Sequence, residues 1–172
     1  MLIGKGADVN KQQGYINPLQ TAIYTGNEAI LQLLIQMGAD VKAQEGKYGH
    51  PLQTVLYKGS DAIAMLLVEK GADVNAKGGY YGHTLQAASY KHNEAMVKLL
   101  VDKGADVDAQ GGKYGNALQA ASCNGNEAIV KLLIEKQAGV NAKGGSYWDA
   151  VHAALFKGHK AIARLLIQKG AL

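Results

Sequence analysis

Cysteine occurs once in the 172 residues, at Cys123, proline twice, and tryptophan and phenylalanine once each. One cysteine excludes an internal disulfide framework and fits a reducing compartment, so the expected location is intracellular, cytoplasmic or nuclear. No apolar run approaches the ~20 residues of a membrane helix, and no span is expected. The opening Met1-Leu2-Ile3-Gly4-Lys5 is too short and too interrupted for a secretory signal. Net charge is also modest: 18 Lys and Arg face 14 Asp and Glu, a formal balance of +4. That excess is too small and too interspersed to argue for nucleic acid. Glycine and tyrosine, by contrast, are plentiful, with 22 and 9 copies, and both fall on a regular beat.

A glycine-led cassette, Gly-Ala-Asp-Val, opens at Gly6, Gly38, Gly71 and Gly104; a degraded copy opens at Gln137, and Gly170-Ala171-Leu172 ends the chain. Tyr15, Tyr48, Tyr81, Tyr114 and Tyr147 keep the same time, every interval being 33 residues. A fixed period in this range means stacked supersecondary units, each touching its neighbours, instead of one globular core.

One copy, Gly71 to Lys103, shows how a unit is built. Gly71 closes the preceding helix, where positive φ suits glycine. Asp73-Val74-Asn75 runs extended, and Lys77-Gly78-Gly79-Tyr80-Tyr81-Gly82 holds too much glycine to be helical. His83 stands at a helix cap, followed by Thr84-Leu85-Gln86-Ala87-Ala88; the other copies cap with Asn17, His50, Asn116 and Asp149. Asparagine and aspartate are strong caps and histidine a weaker one, so the His50 and His83 caps are expected to be compromised. Pro18 and Pro51 suit first helical positions. A second helix begins near Asn93, with Met96, Leu99 and Leu100 predicted as its apolar stripe. The same stripe reads Ile30/Leu33/Leu34, Ile63/Leu66/Leu67, Ile129/Leu132/Leu133 and Ile162/Leu165/Leu166. Small residues at Ala22, Ala88, Ala121 and Ala154 predict close approach of first helices.

These residues resemble the ankyrin repeat, a turn plus two antiparallel helices with a T-P-L-H-x-A signature. That signature stands here as Asn17-Pro18-Leu19-Gln20, His50-Pro51-Leu52-Gln53, His83-Thr84-Leu85-Gln86, Asn116-Ala117-Leu118-Gln119 and Asp149-Ala150-Val151-His152. Threonine is absent from the cap, glutamine replaces histidine in four copies, and the turn glycine is displaced to Gly82 and Gly115, behind Tyr81 and Tyr114. The resemblance covers essentially the whole chain. It implies an all-α solenoid of stacked helix pairs with β-turn fingers, the pairs falling at about 17–37, 50–70, 83–103, 116–136 and 149–169. Residues 1–5 align with the last turn of a preceding repeat. The finger style is similar to ankyrin arms of fungal NTPase-containing sensor proteins.

The implied function is protein recognition by the fingers and the concave helix surface, with no turnover and no cofactor. The family geometry turns the end of the first helix toward that surface: Tyr24, Tyr57, Tyr90, Cys123 and Phe156, flanked by Thr25, Lys58, Lys91, Asn124 and Lys157. Tyrosine covers much area at low entropic cost, so aromatics beside lysines read as interface anchors. The expected contact residues are Tyr57, Lys58, Tyr90, Lys91, Cys123, Asn124, Phe156 and Lys157, joined by Tyr81 and Tyr114 from the fingers. The finger tyrosines carry a second reading, in which adjacent fingers simply pack phenol on backbone. The lysine row, flanked by Lys47 and Lys113, favours an acidic protein partner and fast, salt-sensitive association. Two rivals stand beside this one: a sensor or regulatory arm of a larger signalling NTPase, and RNA binding by stacked tyrosines and lysines.

Catalytic motifs fail on inspection. Gly111-Gly112-Lys113-Tyr114-Gly115 lacks the spacing of a phosphate loop and recurs with every unit. His50 and His83 are cap residues with no cysteine or carboxylate pair to complete a metal site. Cys123 has no evident base to make it a nucleophile. Toward the end of the chain Gln137 takes a glycine position, at an expected strain of roughly 1 kcal/mol. Trp148, in place of glycine at the finger, is expected either to adjust packing locally or to anchor a contact. Ile162, Leu165 and Leu166 keep the internal pattern to the end, so the array is expected to be a fragment with apolar end faces and some self-association.

Overall fold

Residues 8–11, 17–43 and 49–172 are described by the structure, a computed structural model. The expectations for Tyr15, Tyr48, Lys47 and residues 1–5 lie outside the described residues. The chain divides into two units, Met1–Asp73 and Val74–Leu172. The first holds helices α1 (Pro18–Thr25), α2 (Glu28–Gln36), α3 (Pro51–Lys58) and α4 (Asp61–Glu69). The second holds a ribbon of β1 (Lys77–Gly78) and β2 (Gly82–His83), then α5 (Thr84–Tyr90), α6 (Glu94–Asp102), α7 (Ala117–Asn124), α8 (Glu127–Glu135), α9 (Ala150–Phe156) and α10 (Lys160–Gln168).

Helices of seven to nine residues are too short to persist alone in water, so capping and packing must hold them. Asn17, Asn116 and Asp149 accept the N–H of the residue three along, at 2.7 to 2.8 Å. Asn27, Asn93 and Asn126 cap second helices in the same way. The expected weakness at His50 and His83 is made good from the other side. Gln53 Oε1 accepts the His50 N–H at 3.1 Å, and Gln86 Oε1 accepts the His83 N–H at 2.8 Å. Glutamine three residues into the helix thus supplies the reciprocal half of a capping box.

In the second unit α7 lies between α5 and α9, and α8 between α6 and α10. The first helices α5 and α7 are buried almost all round and α9 on its α7 side: Ala87, Ala88, Ala120, Ala121, Ala153 and Ala154 are each 0% exposed. A side chain of one methyl lets neighbouring backbones close up, as the small residues predicted. The second-helix stripe needs correction. Positions i, i+1 and i+4 are buried, as in Met96, Val97 and Leu100 or Ile129, Val130 and Leu133, whereas Leu99 and Leu132 at i+3 are half-buried. The first helix covers the shoulder carrying i+1, leaving i+3 at the margin. The end face also differs from expectation. Ile162 and Leu166 are 2% and 0% exposed, and the large apolar side chains left open near the C-terminus include Leu155, Phe156 and Ile167.

Each finger in the second unit closes on itself. Lys77 pairs with His83 and Gly78 with Gly82; Gly111 bridges Gly115; Gly144 N–H donates to the Trp148 carbonyl at 2.7 Å. Fingers then bond to fingers: Lys113 N–H donates to the Tyr80 carbonyl, and Ser146 N–H to the Lys113 carbonyl. The glutamine seals the joint. Gln86 Nε2 donates to the carbonyls of Ala109 and Gly115, and Gln119 Nε2 reaches those of Ala142, Gly144 and Trp148. In the first unit Gln20 Nε2 donates to Gly49. Lower down, Asn75 spans Gly104 O and Asp106 N, and Asn141 spans Gly170 O and Leu172 N, so the cassette asparagine ties one copy to the next.

Gln137 closes α8 at φ 67°, where Gly71 and Gly104 take 85° and 86°. The Gln137→Gly variant is expected to gain about 0.5–1 kcal/mol. Relief of ~1–2 kcal/mol of left-handed strain is partly offset by the freedom glycine returns to the unfolded chain. A higher urea midpoint at unchanged slope is the expected reading. A lower midpoint would mean that the glutamine side chain holds the junction.

Candidate protein-binding surface

In the first unit, the ends of α1 and α3 carry Tyr24, Thr25, Tyr57 and Lys58. Lys58 is exposed and its Nζ lies 5.2 Å from the centroid of the Tyr24 ring. Tyr57 is half-buried. Burial, and the neighbouring Tyr57 phenol, hold the Tyr24 hydroxyl above the ordinary phenol range, so it stays neutral and keeps its proton as a donor. Beside them is a recess of about 260 Å³, lined by Ile23, Tyr24, Val55, Lys58 and Ile63 among others.

In the second unit the finger tyrosines and the helix-end aromatics form one column. Tyr81 lies 5.5 Å from Tyr90, Tyr90 4.5 Å from Tyr114, Tyr114 6.4 Å from Tyr147, and Tyr147 5.3 Å from Phe156, centroid to centroid. The Tyr90–Tyr114 and Tyr114–Tyr147 planes are inclined by only 21° and 14°. The helix-end ring of one copy stacks on the finger ring of the next, which brings together two sets that the sequence presents as separate. Burial, with the phenols of Tyr90 and Tyr80 alongside, pushes the Tyr114 hydroxyl well above the usual phenol range.

Three expected contact residues are therefore covered. Tyr81, Tyr114 and Cys123 are 5%, 4% and 4% exposed, leaving almost no side-chain area for a partner. Stacking between copies consumes both faces of the Tyr114 ring, while Cys123 is a small apolar filler within α7. Asn124 is engaged as well: its amide donates to the Tyr90 carbonyl, and its own carbonyl meets His92 Nε2 at 2.7 Å. Tyr90 is half-buried in the column. Lys91 and Lys157 are exposed, and Phe156 is 75% exposed.

The accessible aromatic surface includes Tyr80, which the sequence reading passed over, and Trp148, which it gave as either a local packing change or a contact anchor. Tyr80, 42% exposed, packs edge-on to Tyr81 and Tyr114. Trp148, 61% exposed at φ 72°, stands where Gly82 and Gly115 take φ of 92° and 87°. Each breaks the repeat at a finger tip, and at Tyr80 that break is the sequence signal that could have found it. Lysines sit over these rings. Lys113 Nζ is 5.1 Å from the Tyr80 centroid and 5.6 Å from that of Tyr114. Lys143 lies 5.5 Å from Trp148, and Lys157 5.8 and 5.7 Å from Tyr147 and Phe156. The Tyr80 hydroxyl, accepting from Lys113, raises that ammonium above its ordinary range.

Charge is partitioned by element. The fingers and first helices of the second unit, 76–92, 109–125 and 142–158, carry Lys77, Lys91, Lys113, Lys143 and Lys157 against the single acid Asp149. Asp149 is only 5% exposed and is occupied as the cap of α9. Burial, then the Lys77 ammonium, hold His83 below the usual imidazole value, so it adds no positive charge near neutrality. The carboxylates lie elsewhere, Glu94, Asp102, Glu127 and Glu135 on α6 and α8, and Asp106 and Asp108 in the loops. Among the described residues no three His, Cys, Asp or Glu side chains gather to hold a metal, and no helix is long and apolar enough to cross a membrane.

A family model for ankyrin repeats, three copies, matches residues 1–78 and 84–172. The chain belongs to the ankyrin-repeat family, whose members are in general protein–protein interaction modules. Among curated proteins, none matches this sequence significantly.

Proposed function

We propose that this chain recognises an acidic protein surface through its fingers and first-helix ends, without turnover and without a cofactor. The observation that carries the reading is the charge partition. In the second unit five lysines stand on the finger and first-helix segments, whose one carboxylate is a buried cap. Tyr80, Tyr147, Trp148 and Phe156 offer aromatic area beside those ammoniums, the composition of an interface anchor set. In the first unit Tyr57 and Lys58 stand beside the Tyr24 recess, whose lining also holds the Glu28 carboxylate, so that patch is mixed in charge. Tyr81, Tyr114 and Tyr90 act beneath this surface by fixing where the fingers stand. Ammonium–carboxylate attraction across it raises the association rate and weakens with salt.

Trp148 is the sole tryptophan, exposed and 5.5 Å from Lys143, and so reports on this surface directly. Titrating poly-glutamate into the chain is expected to change Trp148 emission, with an affinity that falls as salt rises. The Lys113→Glu/Lys157→Glu double variant is expected to lose binding at least tenfold, ~1.4 kcal/mol, with helicity unchanged. Equal binding by wild type and double variant would sink the proposal. Single-stranded RNA binding more tightly than poly-glutamate at matched salt would replace it with the nucleic-acid reading.

A further inference from the structure

Successive copies differ in what bridges the gap beside the turn from first to second helix. Where α7 meets α9, His159 lays its ring over Gly125: a Cβ placed on that glycine would fall 2.5 Å from His159 Cε1 and 2.8 Å from Nδ1. Where α5 meets α7, the ring comes from the other side. His92 holds the place of Gly125 one copy earlier, at φ 60°, and its Nε2 meets the Asn124 carbonyl at 2.7 Å. Each of these two junctions is thus bridged by an imidazole of the chain itself.

The junction of the first two helix pairs has no histidine there. In repeat register Gly26 takes the place of His92 and Gly125, and Ser60 that of His159. A Cβ on Gly26 meets nothing within 4 Å, and the space beside it is the recess of about 260 Å³ between these pairs. Its lining includes the buried Ile23, Val55 and Ile63, with Glu28, Lys58 and Ser60 around them. The volume falls below the ~300–1,000 Å³ of sites that hold a whole small molecule, and suits a single side chain. Both walls belong to this chain, so the opening does not depend on what adjoins the array. Ser60 Oγ reaches the Glu28 carboxylate only at 3.5 Å and does not cap α4, so it yields at little cost.

We propose that this recess takes the imidazole of a histidine presented by a partner protein, in the place that His92 and His159 fill at the later junctions. One face of the ring lies on the bare Cα of Gly26, as His159 lies on Gly125, and its edge meets the aliphatic floor. A ring N–H donates to the Glu28 carboxylate in exchange for the Ser60 hydroxyl. The site belongs to the first unit and stands independently of the lysine-lined surface of the second.

Titrating N-acetyl-histidine amide into the full 172-residue chain, followed by the backbone amide resonances of isotope-labelled protein, tests it. Gly26, Glu28 and Ser60 are expected to shift saturably, with a dissociation constant on the order of 10 mM, weak because the probe is one amino acid and not a partner surface. Ser60→His supplies the ring from within, as at His159, and is expected to weaken the response at least about tenfold. Circular dichroism verifies folding, and Gly26→His, the arrangement of His92, takes over if the first variant unfolds. A wild type without saturable shifts at these amides overturns the proposal, and so does a folded histidine variant that responds as the wild type does. Tighter binding of N-acetyl-arginine amide or N-acetyl-glutamate amide overturns it equally, by giving the recess to another side chain. None of these outcomes bears on the poly-glutamate titration, which reads Trp148 in the second unit.

Discussion

Gly82→Ala is expected to lower the unfolding free energy by about 2–5 kcal/mol, while Gly71→Ala, at nearly the same backbone angle, costs about 1 kcal/mol. The two glycines have φ of 92° and 85°, so both substitutions incur the left-handed penalty of ~1–2 kcal/mol, partly offset by a stiffer unfolded chain. Space separates them. A Cβ on Gly71 meets nothing within 4 Å. A Cβ on Gly82 falls 2.6 Å from Gln86 Oε1, 2.6 Å from the Gly111 carbonyl carbon and 2.7 Å from Gly112 N. The glutamine end can swing aside only by abandoning the His83 N–H it accepts from. The two glycine atoms are backbone of the next finger and can yield only if that finger lifts. Overpacking of this kind adds ~1–3 kcal/mol. Urea midpoints at constant slope give the comparison. Equal losses in the two variants would mean that the fingers do not stack as closely as the contacts require.

The period, the helix pairs and the glycine closures are legible in the sequence because they are local. Each follows from cap chemistry, from positive φ or from apolar spacing within one copy. The features that escaped depend on the neighbouring copy. Glutamine at Gln20, Gln53, Gln86 and Gln119 reads as a departure from the signature histidine. Its work lies partly in backbone carbonyls up to 29 residues away, which no side-chain pattern marks. The tyrosine clock announces Tyr81 and Tyr114 but not that the next finger closes over them. Nor does it show that Tyr90, on a different beat, packs against both rings, which themselves stack at 6.0 Å. The second-helix stripe errs by one shoulder, i+1 in place of i+3, because side-chain spacing leaves open which flank the first helix covers. Tyr80 and Trp148 were visible only as breaks in a pattern, and a break carries no sign of inside or outside.

Removing the Gln119 side chain is expected to free the last finger before the rest of the molecule unfolds. In Gln119→Leu the Asn116 N–H loses the acceptor held at 2.9 Å, and the carbonyls of Ala142, Gly144 and Trp148 lose a donor at 3.1 to 3.2 Å. Asn116 and Gln119 are each 1% exposed, so water does not replace these partners without opening the joint. Each orphaned buried group costs ~1–3 kcal/mol, and two of them give a loss of about 2–6 kcal/mol. Apolar volume gained by leucine returns little, because the cavity wall is carbonyl oxygen. Repeat arrays lose stability copy by copy, so the loss is local. Trp148 rides on the finger that Gln119 grips, so its emission should change at lower urea than the far-ultraviolet helicity in the variant and together with it in the wild type. Two further substitutions separate donor from acceptor. Gln119→Glu keeps the acceptor but turns a carboxylate toward three carbonyls, and should fall at least as far as leucine. Gln119→His offers one donor and one acceptor, as His152 does at the equivalent position, and should recover part of the loss. Coincident Trp148 and helicity transitions in all three variants would show that the glutamine merely fills space, and that stacking of Tyr114 on Tyr147 and the Ser146 N–H to Lys113 carbonyl bond hold the finger without it.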